Sequence, residues 1–299
     1  MTIAEKMCSL EDMVCPGTTA CTGCNGELTL RTVMKILGKN TIVAIPTGCV
    51  GGIHTVGWAD ESGMKIPVFF PLLDNAAAML SGIKRYYQRI GRDVNAVAFA
   101  GDGATCDAGF QALSGAAERG ENIIYICYDN EGYMNTGFQR SSTTQKGSWT
   151  STTPVGPKAV GKTSVKKDMP MIMTMHNIPY VATASPAYVP DLVRKVEKAM
   201  AVKNGLAYIH VYCSCSSGWG YEVERSIDVC RKLVQSRYAP IYEVENGKYT
   251  LSIDVKKPYS LKGFLLSLKK YQHLSDEQIA DIQRDIDLRW ERLHKMIQN

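Results

Sequence analysis

Short apolar runs rich in β-branched residues alternate along this chain with stretches in which apolar side chains recur every three or four positions. Residues 28–37 keep helical spacing and stop at Gly38, a residue type that commonly closes helices. The run 41–45, Thr-Ile-Val-Ala-Ile, reads as a buried strand. A second helix is predicted from 75 to about 90, ahead of a strand at 96–100, and a third at 109–119, ending at Gly120, ahead of a strand at 123–128. Strand 180–184, a helix from about 189 to 202 and strand 207–212 continue the alternation. The pattern predicts an α/β fold, a mainly parallel sheet with helices on both faces.

Two segments break the pattern. Residues 140–168 are rich in Ser, Thr, Gly, Pro and Lys without periodicity and predict a long loop near a site or a subunit contact. Near the end, Ser275 and Gln278 form a capping box, with Leu274 and Ile279 placed as a hydrophobic staple. The stripe Ile279, Ile282, Ile286, Trp290, Leu293 and Ile297 then predicts a helix lying on the chain's own core, with docking onto a partner as the alternative. One domain over 1–299 with terminal extensions and a helical tail from about 259 is expected.

Composition narrows the partners. At 299 residues and 45% hydrophobic side chains, the chain can bury a full core. Its net charge of +5, from 34 basic and 29 acidic residues without long basic runs, makes nucleic acid an unexpected partner. The start, Met1-Thr2-Ile3-Ala4-Glu5-Lys6, carries no long apolar stretch, so a cytoplasmic protein without membrane anchor is expected. Ten cysteines in a reducing compartment then point to metal ligation, redox chemistry or burial in preference to disulfides.

Strand 96–100 runs straight into Gly101-Asp102-Gly103. At the carboxyl end of a parallel strand, glycines let a phosphate approach the backbone while one carboxylate can hold a hard cation. Cys106 stands where the dinucleotide fingerprint has its third glycine. The next strand leads to Asn130-Glu131-Gly132, where Asn130 can offer a side-chain oxygen and Gly132 a carbonyl to the same cation. Taken alone, Gly-Asp-Gly would be an ordinary turn and Asn130 a turn residue.

The cysteines offer a second constellation. Cys21-Thr22-Gly23-Cys24 places two thiols on a tight loop, Cys49 follows the first helix and strand, and Cys213 and Cys215 lie beyond strand 207–212. Spacing alone leaves an iron–sulfur cluster, a structural zinc and unconnected cysteines open. Cys8, Cys15, Cys106, Cys127 and Cys230 have no such pattern and read as buried or incidental thiols, while His54, His176 and His210 lack metal-type spacing.

The Gly-Asp-Gly and downstream Asn are similar to the motif of thiamine-diphosphate enzymes, which implies Asp102, Asn130 and the Gly132 carbonyl as Mg²⁺ ligands. With the cysteines, and with Tyr212-Cys213-Ser214-Cys215-Ser216-Ser217-Gly218-Trp219, the chain resembles the β subunit of the pyruvate:ferredoxin oxidoreductase family over nearly its whole length. Asn130-Glu131-Gly132-Tyr133-Met134-Asn135-Thr136-Gly137 and Gln139-Arg140-Ser141-Ser142 extend the match. The resemblance implies Cys21, Cys24, Cys49 and Cys215 as ligands of a 4Fe–4S cluster, with Cys213 competing for the fourth place, and Asn135 facing the reacting end of thiamine; otherwise Asn135 is a turn cap before Gly137. It also implies oxidative decarboxylation of pyruvate, transfer of the acetyl group to coenzyme A, and electrons to ferredoxin. The pyrimidine-activating glutamate, the coenzyme A site and further clusters are then expected on α-, γ- and δ-type partner subunits. Another 2-oxoacid (oxalate, branched-chain or aryl) is the nearest rival; a zinc-stabilised scaffold is the rival of another class.

Overall fold

The computed structural model describes residues 2–52, 55–56 and 61–298. Among the described residues, eight strands form one sheet: β1 (Thr41–Ala44), β2 (Val68–Phe69), β3 (Asn95–Gly101), β4 (Ile124–Asp129), β5 (Tyr180–Ala184), β6 (Ala207–Tyr212), β7 (Tyr242–Glu245) and β8 (Lys248–Leu251). Their order is β8-β7-β5-β6-β4-β3-β1-β2. Strands β1 to β6 pair in parallel, whereas β7 and β8 close one edge as an antiparallel hairpin. The sequence pattern does not predict that hairpin, because its four-residue strands place charged or polar residues at alternate positions and lack the apolar runs of the buried strands.

The helices are α1 (Ile3–Ser9), α2 (Asn25–Leu37), α3 (Ala76–Arg89), α4 (Phe110–Glu118), α5 (Met169–Thr174), α6 (Val189–Ala201), α7 (Ser216–Trp219), α8 (Ser226–Gln235), α9 (Leu261–Leu266) and α10 (Asp276–Gln298). The pleat of β3 sorts them into two layers. Val97 and Phe99 join one core with Leu30 and Met34 of α2 and Leu192 and Val196 of α6. Ala96, Ala98 and Ala100 join the other with Leu80 of α3, Leu113 of α4 and the apolar stripe of α10. Helices therefore cover both faces of a mainly parallel sheet, as the alternation predicts.

Local departures have local causes. Helix α2 starts at Asn25, earlier than its apolar periodicity, because the Cys24 thiol caps it by accepting the Glu27 N–H at 3.4 Å. The helix expected from Gly109 is preceded by a π-helical turn, Gly103–Ala108, closed by the Gly109 N–H on the Ala104 carbonyl at 2.9 Å.

Residues 140–168 contain one small hairpin, Val155–Gly156 with Ala159–Val160, and are otherwise irregular. Much of the segment is nonetheless interior: Ser141, Thr143, Thr144, Gln145 and Ser148 are buried. Its folded-back path is held by the Lys162 ammonium, which donates to the Ser142 carbonyl at 2.9 Å and to that of Thr144.

The capping box of α10 is formed, with Ser275 N donating to Gln278 Oε1 at 2.9 Å and Gln278 N to Ser275 Oγ at 3.2 Å. Ile279, Ile282, Ile286, Trp290 and Leu293 are buried against the chain's own core, and Trp290 Nε1 donates to the Arg237 carbonyl at 2.7 Å. Among the described residues no helix is long and apolar enough to cross a membrane. Truncating Ile286, 1% exposed, to Ala is expected to cost about 2–5 kcal/mol, because the cavity it leaves cannot collapse fully; a shift in the urea midpoint at unchanged slope measures it.

Candidate functional site

Sheet order builds the site. Strands β6, β4, β3 and β1 are consecutive neighbours running in one direction, so the segments leaving their carboxyl ends emerge side by side. Those segments carry Cys215, Asn130, Asp102 and Cys49. A cavity of about 280 Å³ lies over the ends, and Cys49, Gly101, Asp102, Gly103, Asn130, Gly132 and Asn135 all line it. The structure thus gathers the sequence-predicted diphosphate and cation residues at one cavity. Glycine is required at 103, where a Cβ would fall 2.4 Å from the Tyr133 ring.

Asp102 is 1% exposed, and its Oδ2 accepts from Ser141 Oγ at 2.5 Å and lies 2.9 Å from Thr143 Oγ1, whose single proton it shares with Asp129. Its Oδ1 faces the Asn130 amide. In one orientation of that amide the oxygen lies 3.1 Å from Asp102 Oδ1 and 2.9 Å from the Gly132 carbonyl, leaving three oxygens without a donor between them; rotated by 180°, the amide nitrogen donates to both. The first orientation is the one a hard divalent cation would require, so the donor set fits Mg²⁺. Electrostatics agrees. Burial, and then the Asp129 carboxylate, push the Asp102 carboxyl well above its ordinary range, a penalty that a cation at Oδ1 would reverse.

Between Asn130 and Gly132 stands Glu131, 3% exposed and left-handed at φ 64°. Its carboxylate accepts from Lys166 at 2.9 Å, Lys270 at 2.6 Å, Tyr238 Oη at 2.6 Å and Tyr271 Oη at 3.2 Å, while Thr144 Oγ1 donates to its carbonyl at 2.7 Å. Burial alone would raise this carboxyl, but Lys166 and Lys270 overcome that and hold it far below the ordinary carboxylate range. Asp129 is balanced in another way: Thr143 Oγ1 and the Glu131 N–H reach its Oδ1 at 2.8 and 2.9 Å, and His210 Nε2 meets its Oδ2 at 3.0 Å. His210, fully buried, also contacts Tyr208 Oη through Nδ1 at 2.8 Å, a structural role. His54 lies outside the described residues.

The cysteines separate into groups. Cys21, Cys24, Cys49 and Cys215 influence one another: burial, then Cys215, Cys24 and Cys21, push the Cys49 thiol up to about 12. Burial likewise raises Cys215, with Cys24 and Cys21 adding to it. Like charges brought this close favour protonation until a cationic centre takes the protons' place. Cys24 and Cys215 each cap a helix, accepting N–H from Glu27 at 3.4 Å and from Gly218 at 3.3 Å.

Side chains flanking the quartet hold it together. Asn25 Nδ2 donates to Ser214 Oγ at 2.8 Å, tying the Cys24 loop to the Cys215 loop, and Ser226 Oγ donates to the Gly23 carbonyl at 2.7 Å. Gly23 has φ 70°, and a Cβ there would meet Ser226 Oγ at 2.6 Å. Cys213 is 1% exposed, against Thr29 Oγ1 at 3.4 Å; burial and then Cys230 raise it, with Cys24 adding to them. Among the described residues no set of three or more His, Cys, Asp or Glu is placed to hold a metal ion.

Sequence reasoning missed Thr143, Lys166, Lys270, Tyr238 and Tyr271. Glu131 was visible only as part of a motif, and nothing local marks partners that lie 35 and 139 residues away in the chain. Replacing Glu131 by Gln is expected to cost about 3–5 kcal/mol in equilibrium denaturation, since Lys166 and Lys270 then lose their counter-charge in the interior.

Comparison with known proteins adds to this geometry. The family model described as "Thiamine pyrophosphate enzyme, C-terminal TPP binding domain" matches residues 47–211. The chain is 48% identical over 280 residues to the NADH-dependent phenylglyoxylate dehydrogenase subunit beta of Aromatoleum evansii, covering 92% of this chain but 62% of that subunit, which is therefore considerably longer. It is 44% identical to the pyruvate synthase subunit PorB of Methanothermobacter thermautotrophicus, covering 93% of this chain and 96% of that one. It is 40% identical to the ketoisovalerate oxidoreductase subunit VorB of Pyrococcus furiosus, covering 94% and 92%. A solved 2-oxoglutarate:ferredoxin oxidoreductase from Magnetococcus marinus superposes with a TM-score of 0.58 at 20% identity, over 74% of this chain and 79% of that chain, a likeness of fold.

Proposed function

Because this chain belongs to the thiamine-diphosphate-binding β-subunit family of the 2-oxoacid:ferredoxin oxidoreductases, we propose that it holds thiamine diphosphate, Mg²⁺ and one 4Fe–4S cluster side by side. In the assembled enzyme it would oxidatively decarboxylate pyruvate, yielding acetyl-CoA and CO₂ and passing electrons to ferredoxin. The observation that carries this reading is the convergence of Asp102 Oδ1, the Asn130 amide and the Gly132 carbonyl in a cavity that Cys49 also lines.

Bound thiamine diphosphate supplies the carbanion that attacks a 2-oxo carbon and the electron sink for loss of CO₂. This chain's residues supply placement. Asp102, Asn130 and the Gly132 carbonyl would hold Mg²⁺, with the Gly101 and Gly103 backbone against the diphosphate. Ser141 and Thr143 keep Asp102 Oδ2 occupied, so that Oδ1 is the oxygen turned to the cation. Asn135, exposed at the cavity, would orient substrate. Cys21, Cys24, Cys49 and Cys215 would ligate the cluster, losing their protons as it loads, and the N–H groups of Glu27 and Gly218 favour the thiolates.

The remaining machinery falls to partner subunits. Leu73 lines the cavity, and Phe69 and Leu72 next to it are 42% and 72% exposed, apolar surface suited to a subunit that closes over the cofactor. A pyrimidine-activating glutamate and the coenzyme A site would come from there. An aryl 2-oxoacid is the second reading, favoured by the 48% identity to the phenylglyoxylate dehydrogenase subunit.

Anaerobic co-purification with the partner subunits, then turnover of a panel of 2-oxoacids with a low-potential acceptor, decides the substrate; pyruvate is expected to lead. In the same complex, Asp102→Ala is expected to weaken Mg²⁺-dependent thiamine diphosphate binding by at least about tenfold, read by calorimetry. Cys215→Ala should lose iron and acid-labile sulfide while Cys213→Ala retains both; the reverse pattern would move the fourth ligand to Cys213.

A further inference from the structure

The motif Cys215-Ser216-Ser217-Gly218-Trp219 contains a physical link that neither cofactor's ligand set explains. Helix α7 is capped by Cys215, whose thiol accepts the Gly218 N–H at 3.3 Å, and ends at Trp219. The Trp219 side chain is 1% exposed, and its Nε1–H donates to the backbone carbonyl of Asn130 at 2.8 Å. One helical turn therefore runs from a thiol of the quartet to the turn that carries Asn130 and Gly132.

Three contacts brace this link. The Lys270 ammonium lies 3.8 Å from the centre of the Trp219 indole while paired with Glu131 at 2.6 Å, so the residue that fixes the Asn130–Gly132 turn also pins the ring. A Cβ at Gly218 would fall 2.3 Å from Met134 Sδ, so the helix is packed directly against a wall of the cavity. Past the helix, Lys269 N donates to the Gly220 carbonyl at 3.2 Å and anchors the far end. Close-packed elements of this kind transmit small displacements and do not absorb them.

We propose that Trp219 is a positioning residue that couples the cluster site to the cation site, so that loading or reduction of one alters the affinity or potential of the other. The proposal rests on the ligand assignments given above for Asp102, Asn130 and Gly132 and for the four cysteines. Removing the indole N–H leaves the buried Asn130 carbonyl without its donor, which frees the turn to shift. Linkage then requires a reciprocal effect: saturation with Mg²⁺ and thiamine diphosphate shifts the cluster's midpoint potential, and reduction shifts Mg²⁺ affinity by the same factor.

The test uses the anaerobically purified complex with its partner subunits, comparing wild type, Trp219→Phe and Trp290→Phe. Trp290 is the control, because its buried indole also donates to a carbonyl, that of Arg237 at 2.7 Å, but belongs to α10 and none of the proposed ligands. Two readouts are taken at full iron content: the Mg²⁺ dependence of thiamine diphosphate binding by calorimetry, and the midpoint potential by redox titration with electron paramagnetic resonance, with and without Mg²⁺ and thiamine diphosphate. Trp219→Phe is expected to weaken Mg²⁺-dependent binding about fivefold or more and to flatten the cofactor-induced shift in potential; Trp290→Phe leaves both at wild-type values. A Trp219→Phe complex with wild-type Mg²⁺ dependence and an undiminished shift overturns the coupling. Should Trp219→Phe fail to assemble, replacing the tryptophans of the chain by β-(3-benzothienyl)alanine removes the N–H with the ring's shape kept, and the same readouts decide. A wild-type complex without iron, or without Mg²⁺-dependent binding, sinks the ligand assignments and the coupling together, whereas failure of the coupling alone leaves those assignments standing.

Discussion

Three carboxylates, Asp102, Asp129 and Glu131, are buried at one end of the sheet, and much of the surrounding structure exists to compensate them. Burying an ionised acid is costly unless opposite charge and hydrogen bonds replace its water. Glu131 has two lysines and two tyrosines, and Asp129 has a histidine, a hydroxyl and a backbone N–H. Burial raises both groups, but His210 and Lys166 more than reverse it at Asp129, as Lys166 and Lys270 do at Glu131, so both end below their ordinary values. Asp102 has the Ser141 hydroxyl and a share of the single Thr143 proton that also faces Asp129, and burial together with Asp129 leaves it raised. The imbalance is local: of the three carboxylates, only Asp102 is held above its ordinary range, and its Oδ1 is the oxygen that faces the Asn130 amide.

This constraint explains why distant segments are drawn to the site. The irregular segment 140–168 delivers Ser141 and Thr143 to Asp102 and Lys166 to Glu131, and Lys162 fixes its path. The stretch between α9 and α10 delivers Lys270 and Tyr271 to Glu131. Residues that touch neither the cavity nor the quartet thereby set the backbone of the turn on which Asn130 and Gly132 stand. The left-handed conformation of Glu131 is strain held in place by those partners.

Legibility in the sequence followed how local each cause was. Periodicity gave the buried strands and the long helices, because alternation and helical spacing are written in neighbouring residues. Glycines flanking Asp102 and the paired thiols of Cys21 and Cys24 were legible for the same reason. The edge hairpin β7–β8 and the π-helical turn after Asp102 were not, since one lacks apolar runs and the other depends on a tight junction at Gly109, where a Cβ would lie 2.3 Å from the Ala104 carbonyl.

By itself, the sequence determined the class of fold, the residue types able to bind a diphosphate and its cation, and the thiols available to a cluster, because each rests on side-chain chemistry and short-range spacing. Tertiary structure decided which of them meet. The order β6-β4-β3-β1 aligns four strand ends and brings Cys215, Asn130, Asp102 and Cys49 together across 166 residues of chain, 49 to 215. It also decided that Glu131 is the hub of a charge network and that Trp219 reaches Asn130, since long-range pairing is fixed by the topology of the sheet and by the need to compensate buried charge, which leave no mark on neighbouring residues.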